Sequence, residues 1–197
     1  MRSVLKLLVV SAAVATISAP AAARADGYVS PWAAVQFGGK LTDVREDVDR
    51  GRAAFGVTAG GMGAGIIGGE FDFGYSPSFF GTQNDFGSNT VITAMGNVIV
   101  GVPIGGTTGG GVRPFFTVGA GLIRTQIDGG RLFPVSTSSS SNQMGFNIGG
   151  GVMGFFADHI GVRGELRYMR AFSGDIINNI DLGSLNFTRL SFGVVFR

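Results

Sequence analysis

Hydrophobic and polar residues alternate along most of the chain, in runs of about ten residues separated by clusters of turn formers. A period of two belongs to a β-strand whose two faces meet different surroundings. Between Ile67 and Tyr75, the residues Phe71, Phe73 and Tyr75 share one face, and Glu70, Asp72 and Gly74 share the other. Between Ile160 and Tyr168, Val162, Gly164, Leu166 and Tyr168 oppose Arg163, Glu165 and Arg167. The last run sets Thr188, Leu190, Phe192, Val194 and Phe196 against Phe187, Arg189, Ser191, Gly193 and Val195. Between Met144 and Phe156, Met144, Phe146, Ile148, Val152 and Phe156 oppose Gly145, Asn147, Gly149 and Gly151.

The pattern predicts eight strands, at 31–39, 52–61, 66–75, 90–102, 113–126, 143–156, 160–171 and 186–197. The connections alternate in character. Met62 to Gly65 and Ala157 to His159 are tight, and Pro103 to Gly111 is glycine-rich. Lys40 to Gly51, Ser76 to Asn89, Asp128 to Asn142 and Ser173 to Leu185 are longer and more polar. The tract Ser136 to Ser141 falls in one of these, where it reads as a flexible solvated tip.

The faces are inverted relative to a barrel in water. A water-soluble fold would have to bury Glu70, Asp72, Arg163, Glu165, Arg167 and Arg189 while exposing a wall of phenylalanine. Hydrocarbon outside and a polar interior satisfy both faces, and short turns alternating with long loops suit a membrane barrel. The expected fold is therefore all-β: an eight-stranded antiparallel up-and-down transmembrane barrel.

Composition sharpens this reading. Thirty-five of the 197 residues are glycine, which weakens helices and leaves room inside a narrow barrel. No cysteine is present, which removes disulfides, thiolate metal sites and a cysteine nucleophile, and the single histidine leaves little for imidazole chemistry. Residues 1–25 read as a cleavable signal peptide. Arg2 and Lys6 precede the apolar run Leu7 to Ile17, and Ala23-Arg24-Ala25 offers a cleavage site before Asp26, leaving 26–197 as the barrel domain. Cleavage removes three of the 15 basic residues, so 12 face 13 acidic ones and the formal charge falls from +2 to −1. No basic block remains to bind nucleic acid.

Arg113-Pro114-Phe115-Phe116-Thr117-Val118-Gly119-Ala120-Gly121, Gly149-Gly150-Gly151-Val152 and Asp158 to Tyr168 resemble strands of the small OmpX/OmpW/opacity-type outer-membrane barrels. The closing segment, with Phe192, Val194 and Phe196, is similar to the C-terminal signal that the barrel-assembly machinery recognises, except that Arg197 follows the aromatic residue. The resemblance covers essentially the whole mature chain. It implies a cell outer-membrane location, contact with outer-membrane lipid and lipopolysaccharide, and four surface loops that carry any recognition. It does not choose among functions, because this fold hosts several.

Chemistry is sparse, and the expectation is no enzyme, cofactor or metal. Gly149 to Gly154 matches G-x-G-x-x-G, but it lies in an alternating strand without a following helix. His159 falls in a short turn. Glu70 and Asp72 could do acid–base work, yet Arg163, Arg167 and Arg189 on the same inner face make charge neutralisation the better reading. Asp43, Glu46, Asp47 and Asp49 lack calcium-loop spacing. Trp32, Phe79, Phe80, Phe86 and Tyr168 are candidates for interfacial aromatic belts or for ordinary loop and strand packing, and Phe79-Phe80 also for a partner-binding patch. The resulting expectation is a monomeric structural or surface-interaction protein with its lumen plugged by Glu70, Asp72, Arg163, Glu165, Arg167 and Arg189. Its alternatives are a small channel for hydrophobic or small polar solutes and, less favoured, a lipid-modifying enzyme.

Overall fold

The structure, a computed structural model, describes residues 25–38, 51–77, 79, 89–105, 109–127, 139–172 and 185–197. The eight expected strands are present as β1 (Ala25–Phe37), β2 (Arg52–Gly63), β3 (Ile67–Pro77), β4 (Asn89–Gly101), β5 (Gly111–Ile127), β6 (Ser139–Phe155), β7 (Ile160–Ala171) and β8 (Asn186–Phe196). Each pairs antiparallel with its sequence neighbours, and β8 returns to β1 to close the barrel. Closure leaves no sheet edge, as a bilayer requires. Among the described residues, no helix is long and apolar enough to cross a membrane.

Alternation sets the register everywhere. Phe71, Phe73 and Tyr75 point outward and are exposed, while Glu70, Asp72 and Ser76 on the opposite face are buried. A slip of one residue would turn every carboxylate of β3 into lipid, so the pairing of Asp72 with Thr58 on β2 and Met95 on β4 is strongly specified. The three-residue turn Ala64-Gly65-Ile66 joins β2 to β3, with Ala64 and Gly65 in the left-handed region at φ 50° and 69°. The Ile66 N–H closes it on the Gly63 carbonyl at 3.0 Å.

Two strand starts differ from the sequence reading by more than two residues. β1 begins six residues before Pro31, and that proline lies inside the strand. The β1–β8 register runs from Val29↔Phe196 to Trp32↔Gly193 and skips Ser30 and Pro31, where proline has no N–H to give. β6 begins at Ser139, so Ser139, Ser140 and Ser141 are strand residues opposite Ile127, Gln126 and Thr125, and not part of a flexible tip. Pairing along a 17-residue hairpin arm overrides the turn preference of serine. Ser136 to Ser138 lie outside the described residues.

Candidate functional site: the barrel interior

The inward positions stack in three layers. Next to the short-turn rim, Tyr28, Met62, Ile99, Phe115 and Met153 form a floor with Phe155 and Val195 that is apolar apart from the buried Arg113, whose guanidinium lies 5.5 Å from the Phe155 ring centroid. Towards the long-loop rim, Val91, Met95, Ile123, Met169 and Phe187 form an apolar ceiling, joined by Phe79 and Leu185 from outside the strands. The Phe79 and Phe187 rings meet edge to face, centroids 5.1 Å apart. Between floor and ceiling lies the charge cluster.

The six charged residues singled out in the sequence all lie here, and all are buried. β3 and β7 stand opposite each other in the ring, which brings Glu70 and Asp72 to face Arg163 and Arg167. Arg163 donates from Nη2 to Glu70 Oε2 at 3.0 Å and to Glu165 Oε2 at 3.0 Å. Arg167 donates from Nη2 to Glu70 Oε1 and from Nε to Glu165 Oε1, each at 2.7 Å. Its Nη1 also stands 3.5 Å from Asp72 Oδ1, so this one guanidinium touches all three carboxylates. Arg189 of β8 donates to Asp72 Oδ1 at 2.7 Å. Three cations and three anions therefore balance within the described cluster.

Neutral groups complete the shell. The Tyr28 hydroxyl donates to Glu70 Oε2 at 2.7 Å, and Thr58 donates to Asp72 Oδ2 at 2.8 Å. Asn97 donates to Glu70 Oε1 at 3.4 Å and accepts from Asn147 at 2.7 Å. The guanidinium faces rest on rings: Arg163 lies 4.4 Å from the Phe115 centroid and Arg189 lies 4.0 Å from that of Trp32. Such contacts contribute about 2 kcal/mol when desolvated. Arg189 Nε and Nη1 have no acceptor, and among the described residues Asp72 is the sole carboxylate with which it forms an ion pair.

For Trp32 and Phe79 the structure corrects the interfacial alternative and takes the packing one. Both are interior residues and take no part in an interfacial belt. Inward glycines make the space: a Cβ on Gly56 would collide with the Trp32 ring, and one on Gly74 would stand 3.0 Å from Arg189 Nη1 and 3.1 Å from Trp32 Cη2. Tyr168 does face outward beside Phe146, centroids 6.4 Å apart. Phe80 and Phe86, like Asp43, Glu46, Asp47 and Asp49, lie outside the described residues.

The remaining candidates fall away from any reacting constellation. Gly149 to Gly154 lies wholly within β6, without the helix that a dinucleotide site needs. His159 is exposed in the β6–β7 turn, with Nδ1 3.2 Å from the Arg197 carbonyl oxygen. Phe192, Val194 and Phe196 line the outer face of β8. Arg197 beyond them is engaged: Nε donates to the Asp158 carbonyl at 2.9 Å and Nη2 to that of Gly109 at 3.2 Å. The sequence reading missed Tyr28, Thr58, Asn97, Asn147 and Thr117, whose hydroxyl donates to Glu70 Oε1 at 3.3 Å. Their only signal was inward parity, which neutral polar residues share with many surface positions.

Comparison with known proteins agrees with this geometry. The family described as outer membrane protein beta-barrel domain matches residues 9–197. A search of the curated proteins finds no match. Neisserial surface protein A is similar at a TM-score of 0.63 and 14% identity, covering 86% of this chain and 96% of its own. Ail, the attachment invasion locus protein of Yersinia pestis, in complex with the heparin analogue sucrose octasulfate, gives 0.57 and 11%, covering 87% and 97%. The outer membrane protein OprG of Pseudomonas aeruginosa gives 0.53 and 12%, covering 88% and 96%. At these identities the likeness is one of fold.

Proposed function

The chain belongs to the outer membrane protein beta-barrel domain family, and from that premise we propose a surface-interaction barrel whose lumen is a plug and not a path. The observation that carries this is the single carboxylate of Glu70. It is held by Arg163, Arg167 and Tyr28 between a mostly apolar floor and an apolar ceiling. Opening a route for solute past it means breaking ion pairs and parting both layers, each costly where water is scarce. The function then belongs to the outside of the barrel and to its four loops, with no catalytic role. Among similar barrels, one is named for attachment and was crystallised with a heparin analogue, which supports a surface-interaction role.

In this reading the protein acts as a monomer in the cell outer membrane. Its partners are outer-membrane lipid and lipopolysaccharide, and during biogenesis the assembly machinery reads Phe192, Val194 and Phe196. Planar-bilayer recording of the refolded protein tests the plug. The expected result is no porin-like conductance; steady porin-like currents from wild-type protein would establish the channel reading in its place.

A further inference from the structure

The outer wall carries a charge pattern that the plugged lumen does not explain. Among the described strand residues whose side chains are placed, only two charged side chains face outward, and both are arginines: Arg124 on β5 and Arg170 on β7. Both lie near the long-loop rim, on the two strands that flank β6. Glu70, Asp72 and Glu165 all point inward, so among the described residues the wall offers these cations no acidic partner.

Their level on the wall is marked by their neighbours. On the β5–β6 hairpin, Leu122 pairs with Met144 and both are exposed and apolar; the next outward pair is Arg124 with Asn142. Above it follow Gln126 and Ser140, so the wall turns from hydrocarbon-compatible to polar within a single outward step. On β7, Arg170 pairs with Phe146, whose ring meets those of Tyr168 and Phe172 at centroid distances of 6.4 and 5.7 Å. Aromatic rings collect at headgroup depth. Both arginines thus emerge where a bilayer changes from acyl chain to headgroup.

Their separation follows from the register. Asn142 and Phe146 are four residues apart on β6, roughly 13 Å, and β5 and β7 stand two strand spacings apart, roughly 10 Å, placing the two Cα atoms roughly 16 Å from each other. Long flexible side chains reaching inward from both ends span one headgroup lying over Met144, with acyl chains running down past Ile148 and Leu166. Guanidinium groups favour phosphate because two parallel N–H donors match two oxygens.

We infer that Arg124 and Arg170 form a two-point clamp for an outer-leaflet glycolipid whose headgroup carries two phosphates. The clamp rests on the reading that outer-leaflet lipid is a partner, and it assigns that reading a site. The Arg124 and Gln126 side chains already lie within hydrogen-bond reach once the Gln126 amide is turned, at 3.1 Å, which holds the guanidinium at the wall.

The test is native mass spectrometry of full-length mature protein. The protein is equilibrated with phosphatidylcholine vesicles doped with bis-phosphorylated lipid A, fully dephosphorylated lipid A or phosphatidylglycerol. Wild-type protein should retain bis-phosphorylated lipid A. R124Q and R170Q should each weaken retention about fivefold, and the double variant about 25-fold, at the usual contribution of one arginine near a membrane surface. Wild-type protein should hold the dephosphorylated lipid no better than the double variant holds the phosphorylated one. Heat-shifted gel mobility confirms that each variant is folded, which outward arginines should not disturb. Equal retention by wild type and the folded double variant would overturn the clamp and leave the lipid-partner reading standing. Absence of retention by wild type would overturn both. Equal retention of phosphatidylglycerol would replace the two-phosphate clamp with general attraction to anionic lipid.

Discussion

Replacing Asp72 by asparagine removes one charge from the interior while preserving shape. Among the described residues Arg189 forms an ion pair with no other carboxylate, and two of its nitrogens already lack acceptors. Arg167 loses its 3.5 Å contact with Asp72 but keeps Glu70 and Glu165. The substitution therefore isolates Arg189 in particular. Two unit charges about 4 Å apart attract by about 4 kcal/mol at an effective dielectric constant of about 20. Breaking a buried pair from one side typically costs about 3–5 kcal/mol. The amide oxygen of the introduced asparagine would still accept one hydrogen bond, which places D72N near the lower end of that range, at about 3 kcal/mol. E165A should cost less, because Arg163 and Arg167 both retain Glu70. D72N/R189M should recover part of the loss: it restores the balance of charge and sets an apolar side chain on Trp32, where Arg189 now lies. Reversible guanidinium unfolding in lipid vesicles compares wild type with the three variants, with heat-shifted gel mobility as an independent reading. The reasoning fails if D72N costs under about 1 kcal/mol, well short of a broken buried pair. It fails equally if E165A costs as much as D72N, or if the double variant is no more stable than D72N.

Three further outcomes are expected. Protein extracted from outer membranes should begin at Asp26 by intact mass; a retained Met1 would mean that residues 1–25 stay as an anchor. An epitope inserted within Ser136 to Ser138 should be labelled on intact cells, because these residues fall between β5 and β6 on the long-loop side, and labelling only after permeabilisation would invert the topology. Trp32 is the only tryptophan of the chain and is enclosed by Gly56, Gly74 and Arg189, so its fluorescence should resist iodide in the folded protein. Ready quenching would place it outside the interior.

What the sequence disclosed follows from how strongly each choice is punished. A charged residue on the lipid face is expensive, so the parity of Glu70, Asp72, Arg163, Glu165, Arg167 and Arg189 was legible without coordinates, as was the facing of β3 and β7 once eight strands were counted. Neutral residues carry no such penalty. Thr58 and Asn97 became members of the cluster only when the register put them beside carboxylates. Trp32 stayed open for a related reason: an indole fits an interface or a cavity equally well, and what decides is the hole left by glycines on β2 and β3. The serine residues at the start of β6 misled because their conformation is imposed by the partner strand and not by their own preference. The arginines of the outer wall went unread because their meaning lies in the step from Leu122 to Arg124 and in the rings around Arg170, both matters of register.

The pairing of β1 with β8 also bears on how the molecule is made. Seven of the eight ladders join strands that are neighbours in sequence, whereas the eighth joins Val29 to Phe196. Closing that long loop costs roughly 2–3 kcal/mol more chain entropy than closing a loop of about ten residues. β8 is also the last of the eight strands to be synthesised. Until β8 arrives, β1 and the growing end of the sheet remain open edges able to pair with any passing strand. Arg197, fastened to carbonyls of two turns at the same rim, can take its place only after that seam has met. Completion of the barrel is thus a late, all-chain event, and the interval before it is when the polypeptide most needs to be kept from its own kind.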